Sequence, residues 1–136
     1  MKRKVVPLAR SLREMGFKIF ATEHTAKTLQ AEGLNSISVL HKVKETEMNP
    51  NILQYLQNRK IDLVMNVPIA AMQEKYLDVL EDEYIIRRQA VEFNIPVVTN
   101  LELASALVNV LKHRNFNGFT VRSLNEYMDS LTWKLW

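Results

Sequence analysis

Apolar positions along the chain recur with two periods, one typical of helices and one typical of strands. From Val5 to Met15 apolar residues follow helical spacing, and Gly16 then predicts a helix stop. Further helices are predicted over Ala26–Glu32, from Pro50 through Leu56, over Tyr84–Phe93 and over Leu101–Lys112. Strands are predicted at Phe17–Ala21, Ile37–Leu40, Ile61–Met65 and Pro96–Val98, the third of them apolar enough to be buried on both faces.

This alternation of strand and helix predicts the fold class. Strands joined by helices of this length imply a parallel sheet with right-handed crossovers. We therefore expect an α/β domain, a three-layer doubly wound and mainly parallel sheet. The chain begins with a helix, because Met1 to Lys4 is too short and too basic to form a buried strand. The first strand of the sheet is thus expected to be absent or supplied by a neighbouring chain.

Turn and capping residues set the expected boundaries between these elements. Thr22 to Thr25 is interpreted as a polar loop, and Pro50 as the first residue of a helix. The fourth helix is expected to start near Asp82 or Glu83. Thr99 and Glu102 have capping-box spacing, and so do Ser123 and Glu126, which predicts a short helix from Leu124 to Leu131. The domain is expected to span residues 1–112, with residues 113–136 as a tail whose short helix packs on it.

Composition excludes several function classes. The chain has 136 residues, enough for one domain with a sizeable core, and no cysteine, which removes disulfides, zinc–thiolate sites and thiol nucleophiles. The apolar runs are too short to span a membrane, and no secretory signal is visible, so we expect a cytoplasmic protein. The net charge is only +3, and this mild excess predicts a solvated helix face rather than a nucleic-acid surface. No cofactor and no metal site are expected.

Polar side chains follow each predicted strand, at the edge where parallel sheets bind ligands. They are Thr22, His24 and Thr25 after the first strand, His41 and Lys42 after the second, Asn66 after the third, and Thr99 and Asn100 after the last. Three of these ends lead into helices, whose free N–H groups attract anions, and Lys27 and Lys42 add positive charge. The pattern predicts a pocket for a small anionic metabolite. The alternative is that these residues only cap helices and form turns.

Several ordered motifs resemble one family, the methylglyoxal-synthase-like domains. Residues 16–26, GFKIFATEHTA, resemble the family's GFKIxATxGTA segment, and Val5–Ala9 is similar to its VVxLA. His41–Val43 is similar to its NKV, Ile61–Asn66 to IDLVIN, and Tyr84–Val91 to YxIRRxAV. The likeness runs from about residue 4 to residue 112, and several motifs in order are specific where one alone is weak. The resemblance implies the same α/β fold.

One branch of the family, the methylglyoxal synthases, acts on dihydroxyacetone phosphate. These enzymes use an Asp base in a Gly-Gly-Asp segment and a second Asp in an Asp-Pro pair. Here the corresponding loop carries Glu45 and Glu47, and Val67 precedes Pro68. Removing an α-proton needs a positioned carboxylate or an equivalent base. A diverged synthase, with Glu45 or Glu47 as base, is therefore the second hypothesis, and no catalytic residue is assigned.

The other branch is the allosteric domain of the carbamoyl-phosphate synthase large subunit, which the motifs resemble more closely. The resemblance implies an effector such as UMP, IMP, ornithine or N-acetylglutamate. It implies binding by Thr22, Thr25, Lys42, Asn66 and Asn100. For Arg87 and Arg88 we expect only a structural role on their helix, with pairing to Glu81 or Asp82. The implied partners are the rest of the large subunit, an ATP-dependent ligase of arginine and pyrimidine biosynthesis, and its glutaminase subunit. A homo-oligomer is also possible.

The sequence departs from the family pattern at points that bear on the effector. His24 replaces a Gly between the two loop threonines, which adds bulk where backbone approaches a ligand, and the family's EGRPN segment is lost. These changes favour a smaller carboxylate over a nucleotide. A third hypothesis is a structural or docking domain without effector. It is motivated by the aromatic residues of the tail, which are Phe116, Phe119, Tyr127, Trp133 and Trp136.

Overall fold

Helices and strands alternate along the chain after an initial helical segment. The computed structural model describes residues 2–42, 47–67, 77–113 and 122–131. A 3-10 turn over Lys2–Val5 leads into α1 (Val6–Glu14). The other helices are α2 (Glu23–Ala31), α3 (Ile52–Gln57), α4 (Leu77–Glu92), α5 (Leu101–His113) and α6 (Leu124–Leu131). The strands are β1 (Ile19–Thr22), β2 (Ile37–Leu40), β3 (Val64–Met65) and β4 (Val97–Val98).

The strands pair in parallel, as the alternation of strand and helix predicts. Thr22 at the end of β1 lies opposite Leu40 at the end of β2, and Met65 of β3 lies opposite Val98 of β4. The α/β class with parallel pairing is therefore confirmed. Within the described ranges the strands form two pairs, β1–β2 and β3–β4. Residues 2–18, ahead of β1, are helical, turn or irregular, and the supply of a first strand by a neighbouring chain stays a prediction.

Two apolar clusters lie on opposite faces of the strand layer. One joins α1, α2 and β2 through Val6, Ala9, Ala26, Leu29, Leu34 and Ile37, and Ile19 and Ala21 of β1 pack against it. The other joins β2, β3, α3 and α4 through Leu40, Ile52, Leu56, Val64, Ile86, Ala90 and Ile95, and Phe20 of β1 packs there. Because successive strand side chains point to opposite faces, β1 serves both clusters. The strands therefore lie between two helix layers.

Four of the helices are each followed by a residue in the left-handed backbone conformation, with positive φ. Gly16, with φ of +92°, follows α1 and donates its N–H to Arg13 O at 2.9 Å, which confirms the predicted stop. Gly33 does the same after α2. Arg59 and Asn94 hold positive φ after α3 and α4, where a side chain makes this conformation costly. Helix ends in this domain are thus set by backbone geometry at one residue.

Some predicted boundaries are wrong. The third strand covers only Val64–Met65, which pair with Val97 and Val98, and not Ile61–Met65. Helix α4 begins at Leu77 rather than near Asp82, since Leu77, Leu80 and Tyr84 already continue helical spacing. Helix α3 begins after an Asn51 cap and not at Pro50.

Candidate functional site

The end of β1 runs directly into helix α2. Thr22 is the N-cap of α2, with extended backbone (φ −67°, ψ 157°), and its side chain makes no capping hydrogen bond. The interpretation of Thr22 to Thr25 as a loop is wrong, because Glu23, His24 and Thr25 form the first turn of α2. First-turn N–H groups have no partner inside a helix. The Thr22 hydroxyl and these N–H groups therefore come together at the strand end.

Charges around the start of α2 are partly neutralised. Lys27 Nζ lies 2.7 Å from Glu23 Oε1, an exposed pair one helical turn apart. The hydrogen bond and charge of Lys27 lower the pKa of Glu23, and the positive charges of His24 and Lys42 act in the same direction. Lys27 was predicted to add positive charge to the pocket, and in the structure that charge is paired with Glu23. Leu40 at the end of β2 lies opposite Thr22, so Lys42, two residues further on, follows β2 at the same strand end as the start of α2.

Lys42 follows β2 and is held by a buried asparagine. Asn51 Nδ2 donates to the carbonyl oxygen of Lys42 at 2.8 Å, and Asn51 Oδ1 accepts from Leu53 N at 2.9 Å. Asn51 is only 2% exposed. It caps α3 and fixes the main chain of Lys42 with the same side chain. Sequence reasoning missed this residue, although an Asn ahead of an apolar helical pattern is a recognised cap.

Asn66 follows β3 and is anchored at both its main chain and its side chain. Its N–H donates to Val98 O at 2.9 Å, and its Oδ1 accepts from Arg87 Nη1 of α4 at 3.0 Å. Arg87 Nη1 is also 4.0 Å from Glu83 Oε2, and the two side chains are 28% and 15% exposed. The carboxylate beside Arg87 is therefore that of Glu83, whereas the sequence analysis named Glu81 or Asp82. The contact with Asn66 was not predicted.

Asn100 follows β4 and caps α5. Its side chain is exposed, and its Oδ1 accepts from Leu103 N at 2.7 Å. The sequence analysis assigned this cap to Thr99, which is one residue too early, because α5 begins at Leu101. The capping oxygen of Asn100 is thus occupied, and its Nδ2 group is a separate donor.

The structure brings the five predicted residues to the carboxyl ends of two strand pairs. Thr22, Thr25 and Lys42 lie at the end of β1–β2, and Asn66 and Asn100 lie at the end of β3–β4. All five are partly or fully exposed, and all carry hydrogen-bond donors. Such an edge can hold carboxylate or phosphate oxygens.

Other candidates from the sequence analysis are less well placed or fall outside the description. Glu47 is exposed, and Glu45 and Pro68 lie outside the described residues. In the parts of the chain that the structure describes, no group of three or more His, Asp or Glu side chains could hold a metal ion. Over those same ranges, the helices are too short or too polar to cross a membrane.

The C-terminal segment carries a helix with an exposed apolar face. The predicted bounds of α6 are confirmed, and Arg122 to Asp129 are all exposed. Tyr127 is 51% exposed. Packing of α6 on the domain stays a prediction. The other aromatic residues of the tail, Phe116, Phe119, Trp133 and Trp136, lie outside the described residues.

Fold and strand ends together define a parallel α/β domain with donor-rich carboxyl edges. A family model described as "MGS-like domain" matches residues 4–99. The chain belongs to this family of methylglyoxal-synthase-like domains.

Curated relatives are named as parts of one enzyme. The C-terminal section of the carbamoyl phosphate synthase large chain of Methanopyrus kandleri is 35% identical over 125 residues, which is 92% of this chain and 22% of that protein. The large chain of Methanobrevibacter smithii is 34% identical over 94% of this chain and 11% of its own length. The C-terminal section of the large chain of Aquifex aeolicus is 35% identical over 92% of this chain and 22% of that protein. The chain therefore spans only about a tenth to a fifth of these relatives.

Proposed function

We propose that this chain is the effector-binding regulatory domain of a carbamoyl phosphate synthase large chain. The proposal is supported by relatives of that name, which align over more than nine-tenths of the chain. The whole enzyme would make carbamoyl phosphate from bicarbonate, ATP and glutamine-derived ammonia. The partners of the domain are then the rest of the large chain and its glutaminase subunit. The domain itself supplies regulation and not the ligase chemistry.

One observation carries the binding proposal. The Thr22 hydroxyl makes no capping bond, although it sits at the N-cap of α2 beside unpaired first-turn N–H groups. Lys42 follows Leu40, which lies opposite Thr22 in the β1–β2 pair, so it lies at the same strand end. A helix N-terminus with a hydroxyl and an ammonium group is suited to anionic oxygens, because donors, dipole and charge act together. The ligand is thus a small molecule with a phosphate or carboxylate group.

Regulation follows from differential binding. An effector that binds one conformation of the synthase more tightly shifts the enzyme toward it, and the shift cannot exceed the difference in affinity. The effectors to compare are UMP and IMP, which present phosphate, and ornithine and N-acetylglutamate, which present carboxylate. We expect a carboxylate effector, because His24 adds bulk beside Thr22 and Thr25.

Thermal-shift measurements on this chain test the proposal. With millimolar UMP, IMP, ornithine or N-acetylglutamate, at least one effector is expected to raise the unfolding temperature. Thr22→Val keeps the shape of the side chain but removes the hydroxyl, and Lys42→Met removes the charge. Each substitution is expected to weaken the binding of that effector about 10- to 100-fold, because hydrogen bonds to charged groups contribute about 1.5–3 kcal/mol.

Lys112→Met is the matched control for loss of charge. Lys112 lies in the last turn of α5, roughly 16 Å along the helix from Leu101, so its loss should change the affinity less than about twofold. Absence of a shift with all four effectors contradicts the proposal. Dihydroxyacetone phosphate belongs in the same series, because formation of methylglyoxal from it would indicate a diverged synthase.

A docking role is the second candidate, and the exposed face of α6 favours it. Leu124, Tyr127 and Met128 of this helix are 75%, 51% and 54% exposed. Exposed apolar faces of this kind are typical of protein interaction sites. The thermal-shift series separates the two candidates, since a domain that only docks gives no shift with any effector.

A further inference from the structure

Arg87 and Asn66 are joined by a hydrogen bond that fixes the orientation of an amide. Arg87 Nη1 of α4 lies 3.0 Å from the Asn66 side chain at the end of β3. A guanidinium group carries only donors, so the atom facing it must be the amide oxygen. The Nδ2 group of Asn66 therefore points away from α4. Arg87 settles an orientation that either end of the amide could otherwise adopt.

A carboxylate also lies beside Arg87, at the outer limit of ion-pair distance. Glu83, one turn earlier on α4, has Oε2 at 4.0 Å from the same Nη1 atom, and its side chain is only 15% exposed. The main chain of Asn66 is tied to β4 through the bond from its N–H to Val98 O. Both ends of the Arg87–Asn66 contact thus rest on regular structure. A side chain anchored in this way loses little freedom when it binds a ligand.

We propose that Arg87 is a positioning residue that turns the Nδ2 group of Asn66 toward the strand-end site. This part of the site then binds only ligand groups that accept hydrogen bonds. The inference rests on the proposed function, because it specifies how one predicted binding residue recognises an anion. Asn66 then offers two N–H donors to a carboxylate or phosphate oxygen. An ammonium or amide N–H of a ligand meets no acceptor there.

A nearby arginine provides a matched control. Arg88 is the next residue on α4, but its Nε bonds to Glu92 Oε1 at 3.0 Å on the exposed side of the helix. Arg87→Met and Arg88→Met remove the same charge and keep a similar aliphatic chain. Arg87→Ala also removes the donor, favours the helix, and serves if the methionine variant does not fold.

Nuclear magnetic resonance of the Asn66 side-chain NH₂ group tests the orientation without any effector. The resonance is identified by its loss in Asn66→Leu. In the unmodified chain and in Arg88→Met we expect a rigid group with a high heteronuclear Overhauser effect. In Arg87→Met the value should fall to that of exposed asparagines such as Asn35. An equally rigid NH₂ group in Arg87→Met, or in Arg87→Ala where that is the variant that folds, with the control unchanged, overturns the inference.

Titration with inorganic phosphate and with acetate, followed at the same resonance, then tests recognition. We expect the resonance to shift and the dissociation constant to rise about tenfold in Arg87→Met, with less than a twofold change in Arg88→Met. If the amide is rigid and oriented but neither anion shifts it, the orientation stands and the proposed function fails at Asn66. If anions bind while the amide is mobile in every variant, the function stands and the role of Arg87 is overturned.

Discussion

Three asparagines each use the amide oxygen to support the fold. Asn51 accepts from Leu53 N, Asn66 from Arg87, and Asn100 from Leu103 N. The sequence predicts Asn66 and Asn100 as ligand donors, and in both the bond to the fold uses the oxygen and not the NH₂ group. A single amide can therefore serve structure through its oxygen and recognition through its nitrogen.

Asn51 should be the most costly of these residues to replace. Asn51→Ala removes the cap of α3 and leaves the Lys42 carbonyl oxygen without its donor. Asn51 itself is only 2% exposed. We expect a loss of about 1–3 kcal/mol in the free energy of unfolding, measured in urea. Asn35→Ala, at an exposed loop position, is the control and should change it by less than about 0.5 kcal/mol.

Loss of Asn51 should also affect the proposed binding site. Because Asn51 fixes the main chain of Lys42, Asn51→Ala is expected to weaken the binding of the effector found in the thermal-shift series. An Asn51→Ala protein as stable as the unmodified chain would show that the cap contributes nothing.

At the scale of helices and strands, the sequence predicted a helix boundary best where nearby residues form the cap. The capping box of α6 is confirmed atom by atom, since Ser123 N donates to Glu126 Oε2 at 2.6 Å and Glu126 N donates to Ser123 Oγ at 3.3 Å. At α5 the same kind of reasoning chose Thr99 instead of Asn100. Two polar residues in succession can both cap, and only the backbone path decides between them.

The capping box of α6 gives a pH dependence. The hydrogen bonds from Ser123, first that of its backbone N–H, lower the pKa of Glu126 below the ordinary value of 4.5. A lowered pKa in the folded state means that the charged carboxylate stabilises the helix. This contribution is fully present above pH 4.5 and is lost as the pH falls through the lowered pKa. The helix α6 should therefore fray in acid.

A titration of the Glu126 carboxyl carbon by nuclear magnetic resonance measures this effect. We expect a midpoint below 4.5 in the unmodified chain and a higher midpoint, closer to 4.5, in Ser123→Ala, which lacks the hydroxyl bond. A midpoint at or above 4.5 in the unmodified chain would contradict the capping box.

At the scale of the whole molecule, the two apolar clusters share their central strands. Phe20 packs against one cluster and its neighbours Ile19 and Ala21 against the other. In β2, Ile37 and Leu40 are divided in the same way. Because the strands cannot lose one face without disturbing the other, the clusters are expected to unfold together.

Leu29→Ala and Leu56→Ala test this coupling, one in each cluster. Leu29 is 2% exposed and Leu56 is 0% exposed, so each substitution should cost about 2–5 kcal/mol. Both should lower one common transition, seen as equal loss of hydrogen-exchange protection at the amides of Leu34 and Ile95. Leu103→Ala, at a position 57% exposed, is the control with little effect. Protection lost at only one of the two amides would indicate independent clusters.

The amino-acid order alone determined the parallel α/β class, the helix stops at Gly16 and Gly33, the bounds of β2 and α6, and the placement of donors after each strand. These features depend on hydrophobic period and on local backbone chemistry, which act over a few residues. The tertiary structure decided what each donor contacts. Arg87 and Asn66 are 21 residues apart, and Asn51 and Lys42 are nine apart. Such contacts form only when packing brings separate elements together, so no local pattern could specify them.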